Sequence, residues 1–510
     1  MAAIITSRFR LDTTDKFLTS LANNQFYMAL GRANAWTDDT VPTTPYENDY
    51  TSNTLWENMF AMKKIASADI IHCTTRNLWV SGTTYVEYDD QDTNIESKVY
   101  HVISDNNNVY MCLKAGSGTS TTNPDVSPGG VITTGVINFS ATDGYIWKYM
   151  FTVPTSDVTK FLTSSFVPTR VIGSEPAGGS DAALINQWSV QDNAVNGAIY
   201  NLKVTVGGTG YANGTTEAIL TIAGDGTGAT ATAIVVGGII TGTTITAPGS
   251  GYTHATITVA GTGTSGALRP VIGPPGGFGK NPNNDLRSHY VTINTTFTGD
   301  ESGSIPDAND FRQLALIKNP LKTGATASVA ISGAASMVIG QFYEILTLGN
   351  SSAANWATAG APTDYIVGTI FKAIAVTSTG TGTIAGVAEA NAYNTCKSLT
   401  IPAGLSATYV ADYLFEGHTT NTVGAKGQVI EYNNTSGVLH YAQNESTGFG
   451  TFLATHFTRA VGATSAGDDI TAVTDTLINH HSGEVMFVEN RTATTRADGQ
   501  VETVRLVIAF

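Results

Sequence analysis

The sequence predicts a mainly β protein: a layered antiparallel β-sandwich core with two short helix-bearing segments near its N-terminus and small β-modules inserted into it. Three observations predict this. β-Branched and aromatic residues alternate with polar ones between Gly, Asn and Asp clusters at 99–113, 146–153 and 291–297, the pattern of half-buried antiparallel strands. Glycine is abundant, at 53 residues, and falls at regular turn positions. The long alternation of strand and helix that builds a parallel-sheet enzyme is missing from the sequence.

The elements follow in order. Thr13 and Thr14 precede residues 16–21, where Phe17, Leu18 and Leu21 share a helical face. Thr54 with Glu57 offers a capping box before Leu55, Trp56, Met59, Phe60, Met62 and Ile65. Tyr145, Trp147, Tyr149 and Phe151 then alternate, which places them on one face of a strand and Ile146, Lys148 and Met150 on the other. Such a face either packs between sheets or anchors a partner protein, because Tyr and Trp are favoured at interface hot spots.

Between Asn196 and Gly279 the composition shifts to Gly, Thr, Ala, Ile and Val, and an imperfect repeat emerges. Gly208-Thr209-Gly210-Tyr211 recurs as Gly249-Ser250-Gly251-Tyr252, each followed by a short strand pattern. Residues 223–229 are echoed by 260–267. Two copies are too few for a free-standing solenoid, so the segment predicts a compact duplicated β-module. Tyr211 and Tyr252 either cover the ends of that module or stand on its surface, where they would stack on sugars. Pro274-Pro275-Gly276-Gly277 ends it.

Strands are expected again at 328–331, 341–346 and 369–373, then at 427–432 and 438–441 as a hairpin around residues 433–437. The division predicted is a core in 1–195, 280–321 and 476–510, inserts at 196–279 and 322–397, and a third all-β section at 398–475.

Composition limits the functions available. A chain of 510 residues exceeds what one core serves, so several domains are expected. Only 13% of residues are charged while 42% are hydrophobic, which excludes disorder and leaves solubility to Thr, Ser, Asn and Gly. The net charge of −15 and pI near 4.9 disfavour capture of nucleic acid. No basic amphipathic stretch or long apolar tract points to a membrane, and residues 1–10 lack the pattern of a secretory signal. Cys73, Cys112 and Cys396 are too scattered for a disulfide framework or a zinc site and read as small buried hydrophobes.

The catalytic and cofactor motifs that spacing alone suggests lack the residues their chemistry needs. Gly261-x-Gly263-x-x-Gly266 matches a dinucleotide fingerprint in spacing, but Arg269-Pro270 and Pro274-Pro275 follow where a helix must start. Asp90, Asp92 and Asn94 imitate a calcium loop, yet Ile95 stands where Gly is needed and His101 where the bidentate Glu belongs, so a solvated acidic loop is expected. Adjacent His480 and His481 point apart and predict a hydrogen-bonded structural role. No catalytic residue, metal site or cofactor is expected.

Five blocks resemble one family in preserved order. Ile4-Ile5-Thr6-Ser7-Arg8-Phe9-Arg10 opens the first, which continues through Met28-Ala29-Leu30-Gly31-Arg32 with Trp36. Next come Leu55-Trp56-Glu57-Asn58-Met59 with Arg76-Asn77-Leu78-Trp79, and then residues 143–154 around Tyr145, Trp147 and Tyr149. The last two blocks are residues 310–320 and 481–491. Together they are similar to the gene-product-eight baseplate wedge subunit of T-even-like contractile phages, and the gaps between them fall on the composition-shifted segments. The resemblance implies a β-sandwich core with helix-bearing loops, a homodimer, contacts with other baseplate wedge proteins, and a place in the virion tail assembled in the host cytoplasm. It implies no catalytic residue. Trp36, Trp56, Trp79, Tyr145, Trp147 and Tyr149 stand as its core or interface aromatics. What the inserts bind is not inherited, and glycan contact through them gives the alternative of a host-attachment protein.

Overall fold

The computed structural model describes residues 4–126, 138–140, 142–215, 217–323, 329–332, 337–419, 422–463 and 466–510. The fold is mainly β, with several antiparallel sheets and few helices. It divides into two compact units, one of Met1–Lys16, Ile71–Thr292 and Leu506–Phe510, the other of Phe17–Ile70 and Ile293–Arg505. The expected core section 1–195 is therefore not one body. Residues 17–70 belong with the C-terminal half, a partition set by strand pairing over hundreds of residues that no local pattern carries.

Helix α1 (Ser7–Ser20) starts earlier than expected. The hydroxyls of Thr13 and Thr14 donate to the carbonyls of Phe9 and Arg10 at 3.0 and 2.8 Å, so both residues lie inside the helix rather than ahead of it. Strand β1 (Phe26–Gly31) is buried throughout. Helix α2 (Asp49–Asn58) is capped by Asn48, whose side chain accepts from the Thr51 N–H, so Thr54 is an interior residue. It ends where β2 (Met59–Lys64) begins. Met59, Phe60, Ala61 and Met62 are all buried in succession, which suits a strand covered on both faces and not the single stripe of an amphipathic helix.

In the first unit, β3 (Ile70–Thr75) precedes β4 (His101–Ile103), β5 (Asn108–Lys114), β6 (Asn138–Ser140) and β7 (Ile146–Thr152), which form a sheet of order β4-β5-β7-β6. Both faces of β5 and β7 are buried. Val109, Met111 and Leu113 enter one hydrophobic cluster with Met150, while Tyr110 and Cys112 enter another with Tyr145, Trp147 and Tyr149. The register against β5 shifts between Tyr149 and Phe151. This bulge returns Phe151 to the Met150 side, so the expected four-residue aromatic face ends at Tyr149. Helix α3 (Thr155–Lys160) leads to β8 (Phe166–Thr169), which pairs with β3, and α4 (Ala182–Asp192) is capped by Asp181.

The duplicated module comprises β9 (Ile199–Thr209), β10 (Ala218–Gly224), β11 (Thr227–Val236), β12 (Ile239–Ser250), β13 (Ala255–Gly261) and β14 (Thr264–Ile272). Strands β9 to β11 form one copy and β12 to β14 the other. Pairing is exchanged between them: β9 with β14, β12 with β11, and β10 with β13. Each copy thus completes the other, as across a two-fold axis.

Helix α5 (Pro282–Asp285), β15 (Tyr290–Thr298) and β16 (Phe311–Lys318) follow. The second insert holds β17 (Val329–Ala330), β18 (Phe342–Thr347), α6 (Ala353–Ala359), β19 (Ile370–Lys372) and β20 (Thr383–Gly386), with Trp356 fully buried at its centre. Of the strand expected at 328–331, Ser328 lies outside the described residues. Strand β21 (Ala392–Asn394), within the range assigned to this insert, pairs instead with β2.

The third section is a seven-stranded sheet of β22 (Lys397–Thr400), β23 (Leu414–Thr419), β24 (Thr422–Asn433), β25 (Val438–Ala442), β26 (Phe457–Ala460), β27 (Asp468–Asp469) and β28 (Ala472–Thr474). The expected hairpin is β24–β25, closed at Asn433↔Val438. Strands β29 (Glu484–Thr494) and β30 (Val501–Ala509) end the chain. In the second unit β29 closes a five-stranded sheet of order β21-β2-β1-β16-β29. Leu55 and Trp56 of α2 pack with Tyr27, Ala29, Met62, Ala315 and Ile317 from three of its strands.

Candidate functional site

The five-stranded sheet of the second unit gathers residues far apart in sequence. Met28 lies opposite Leu316, and Leu316 lies opposite Phe487. Beyond β1 the chain turns out at Arg32, whose left-handed backbone (φ 59°) carries its guanidinium over the Trp36 ring, 3.7 Å from the centroid. Trp36 is half-buried, and its indole N–H donates to the Arg491 carbonyl at 2.9 Å. Arg312, buried on β16, donates from Nε to both oxygens of Asp39 at 3.1 Å and also bonds the Ala33 carbonyl. Its hydrogen bond, with one from the Trp36 N–H, holds the Asp39 carboxyl below the ordinary carboxylate range. The 32–39 turn is thereby fixed onto β16 and β29.

Two recesses flank the next stretch of chain. A cavity of about 440 Å³ is lined by Trp36, Tyr46, Tyr50, Glu57, Gln313 and Asn490, among others. Tyr50 donates to Glu445 at 2.9 Å, and burial together with the Glu445 charge raises the Glu57 carboxyl above its usual value. A groove of about 560 Å³ runs between residues 45–52 and residues 485–488 of β29. Tyr46, Tyr50 and Met486 are exposed along them. Amide, carboxylate and aromatic groups arranged in this way can grip a partner's backbone and side chains. Among the described residues no group of three or more His, Cys, Asp or Glu is placed to hold a metal.

The remaining aromatics singled out from the sequence are distributed as follows. Trp56 is buried in the second unit with its ring tilted on His480, 5.8 Å between centroids. Tyr145, Trp147 and Tyr149 are buried in the first unit. Tyr145 and Trp147 stack 5.7 Å apart, and the Tyr149 hydroxyl meets that of Thr152 at 2.7 Å. Trp79 is half-buried and donates to Ser120 at 3.2 Å. These are packing residues.

Tyr211 and Tyr252 are not surface tyrosines. Both are 4% exposed within the module's core, which corrects the expectation that they could stack on glycans. Each lies over a glycine of the other copy, Tyr211 over Gly263 and Tyr252 over Gly226, where a Cβ would come within 2.5 Å of the ring. Their hydroxyls accept from the N–H groups of Gly266 and Ala229 at 3.2 and 3.3 Å. The Gly261, Gly263 and Gly266 spacing thus serves a strand turn and a ring contact.

The imitation of a calcium loop resolves into ion pairing. Asp92 binds Lys98 and accepts from the Asn94 N–H at 2.9 Å. The neighbour that matters is Asp89, buried and paired with Lys203 of β9 at 2.8 Å and Arg269 of β14 at 2.5 Å. Burial works against its charge, but these two bonds outweigh it and hold the carboxyl well below its ordinary value. Asp89 carried no sequence signal, being one carboxylate among many, and Arg312 lies in the block 310–320 without being singled out within it. His480 is tied to the Thr395 carbonyl at 2.8 Å and burial lowers its pKa, while His481 occupies a left-handed turn.

No known protein-family model matches the chain, and no curated protein matches it.

Proposed function

We propose that the chain is a structural subunit of the baseplate wedge of a contractile phage tail, acting as a homodimer that holds neighbouring wedge proteins and passes on their rearrangement during contraction. One observation carries this reading. The blocks around residues 28–32, 55–59, 310–320 and 481–491, which resemble the gene-product-eight wedge subunits, supply β1, α2, β16 and β29, and these pack as neighbours around one sheet. The composition-shifted segments that interrupt the resemblance supply the module β9–β14 and the sheets of the second insert and third section. Four of the blocks thus meet around one sheet, while the block at 143–154 supplies β7 of another sheet and β21, from the second insert, joins the first.

The physics of the role is that of a stiff body with adhesive faces. Sheets buried on both sides resist deformation, and exposed apolar groups such as Val41, Tyr46, Phe449 and Met486 on a weakly charged chain suit enclosure by partners. Sedimentation of the purified full chain, alone and mixed with the other wedge proteins of the same tail, tests the reading. A dimer that co-sediments with at least one of them is expected; a monomer that binds none of them contradicts it.

A further inference from the structure

The edge of the five-stranded sheet carries a second consequence, which does not rest on the tail assignment. Strand β29 stands last in its sheet and pairs only with β16, so the outward half of its backbone N–H and C=O groups has no strand partner among the described residues. Such edges are commonly blunted by a charge or a proline. Val485-Met486-Phe487-Val488 has neither, although Glu484 and Glu489 flank it and the register against β16 shifts at Met486, which is 48% exposed. Facing this edge across the 560 Å³ groove are residues 45–52, which bring Glu47 and Asp49 and no Lys or Arg to the lining.

We infer that this groove receives an extended, lysine- or arginine-bearing segment of a partner polypeptide, which adds to β29 as a sixth strand. Main-chain hydrogen bonds to the β29 edge would supply affinity, and side chains on alternate positions would choose the partner. Apolar groups would lie along Met486 and Tyr46 while cations meet Glu47 and Asp49. A second copy of this chain is the poorer occupant, because the chain carries a net charge of −15 and would bring further carboxylates to an acidic slot.

The test uses the full chain and a fluorescent nonapeptide of alternating lysine and valine, with a glutamate–valine counterpart and a copy of the first N-methylated at alternate residues. Expected results are binding of the lysine peptide, slowed amide exchange at 485–488 when it is bound, and at least tenfold weaker binding by the counterpart and the methylated copy. The variant Glu47→Lys/Asp49→Asn, changed at two exposed positions, is expected to weaken binding at least fivefold. Binding that ignores this variant, equal binding of the glutamate peptide, or protection elsewhere would overturn the proposal. So would concentration-dependent protection of 485–488 in the chain alone, which would identify a second copy as the occupant.

Discussion

The module β9–β14 and the seven-stranded section β22–β28 are both antiparallel β, yet they are held together by different means. Residues 204–268 contain no Lys or Arg and only Glu217 and Asp225 as acids. Their strands meet at glycines, and two tyrosines exchanged between the copies seal the ends. The seven-stranded section instead surrounds an aromatic centre, with Phe415 and Phe452 stacked 5.2 Å apart and Tyr441 edge-on to both. Alongside lies a charged row in which Glu416 meets Lys426 at 3.2 Å and His418 at 3.0 Å. One region is packed almost without charged side chains, the other around large rings and ion pairs. Glycines packed against rings occur in both, since a Cβ on Gly417 would come within 2.6 Å of Phe452 and one on Gly427 within 2.8 Å of Phe415, so the regions differ in charge and aromatic size and not in their tolerance of added atoms.

The largest expected effect is in the aromatic centre. Phe415→Ala leaves a void between two rings and should destabilise its sheet by about 3–5 kcal/mol, read as faster amide exchange confined to β22–β28. Tyr211→Ala and Tyr252→Ala should each cost about 3 kcal/mol in the module, and the exchanged pairing predicts that the two losses match. Unequal losses would break the two-fold description.

Added atoms probe the close approaches in both regions. Gly226→Ala and Gly263→Ala place a Cβ about 2.5 Å from a tyrosine ring carbon and near backbone oxygens, at a cost of about 1–3 kcal/mol. In the seven-stranded section Gly417→Ala places a Cβ 2.6 Å from the Phe452 ring and should cost a similar amount, whereas Gly424→Ala comes no nearer than 3.5 Å to the His456 ring and should be close to neutral. Tyr211→Phe and Tyr252→Phe, which delete one accepted hydrogen bond each, should cost about 1 kcal/mol.

The smallest effect separates the two copies by pH. Asp225 is held well below the ordinary carboxylate range by the Thr253 hydroxyl and the N–H groups of Thr253 and His254. Its counterpart Thr262 accepts from the Ala212 N–H at 3.2 Å and does not titrate. A depressed folded pKa gives stability that is present above the unfolded value and lost as pH falls through the folded one. Acid should therefore loosen the Tyr252 end before the Tyr211 end, and Asp225→Asn should abolish the difference in amide exchange. Glu416 follows the same sign. Burial raises its pKa, but Lys426 and His418 outweigh that and leave it lowered, so the seven-stranded section should also weaken in acid.

Local chemistry made the strands legible. Alternation at 146–153, the repeat at Tyr211 and Tyr252 and the hairpin at 427–441 are all patterns of neighbours in sequence. The division into two units was not legible, because the pairings Met28↔Leu316 and Met62↔Tyr393 join residues hundreds of positions apart. The helix expected across Met59–Ile65 failed because a strand buried on both faces has no period to distinguish it from a buried helix. Phe151 was misplaced because a bulge adds a residue without a composition of its own. Of the site in the second unit, Trp36 could be marked in advance, while its fixing by Asp39 and Arg312, the Tyr50–Glu445 contact and the open edge of β29 became visible only once the sheet was assembled.

Image reconstruction of the contractile tail that the proposed role requires tests that role most directly. Density at the baseplate that accepts both units, in contact with neighbouring subunits, is the result expected. A purified tail in which mass spectrometry finds no trace of the chain would contradict it.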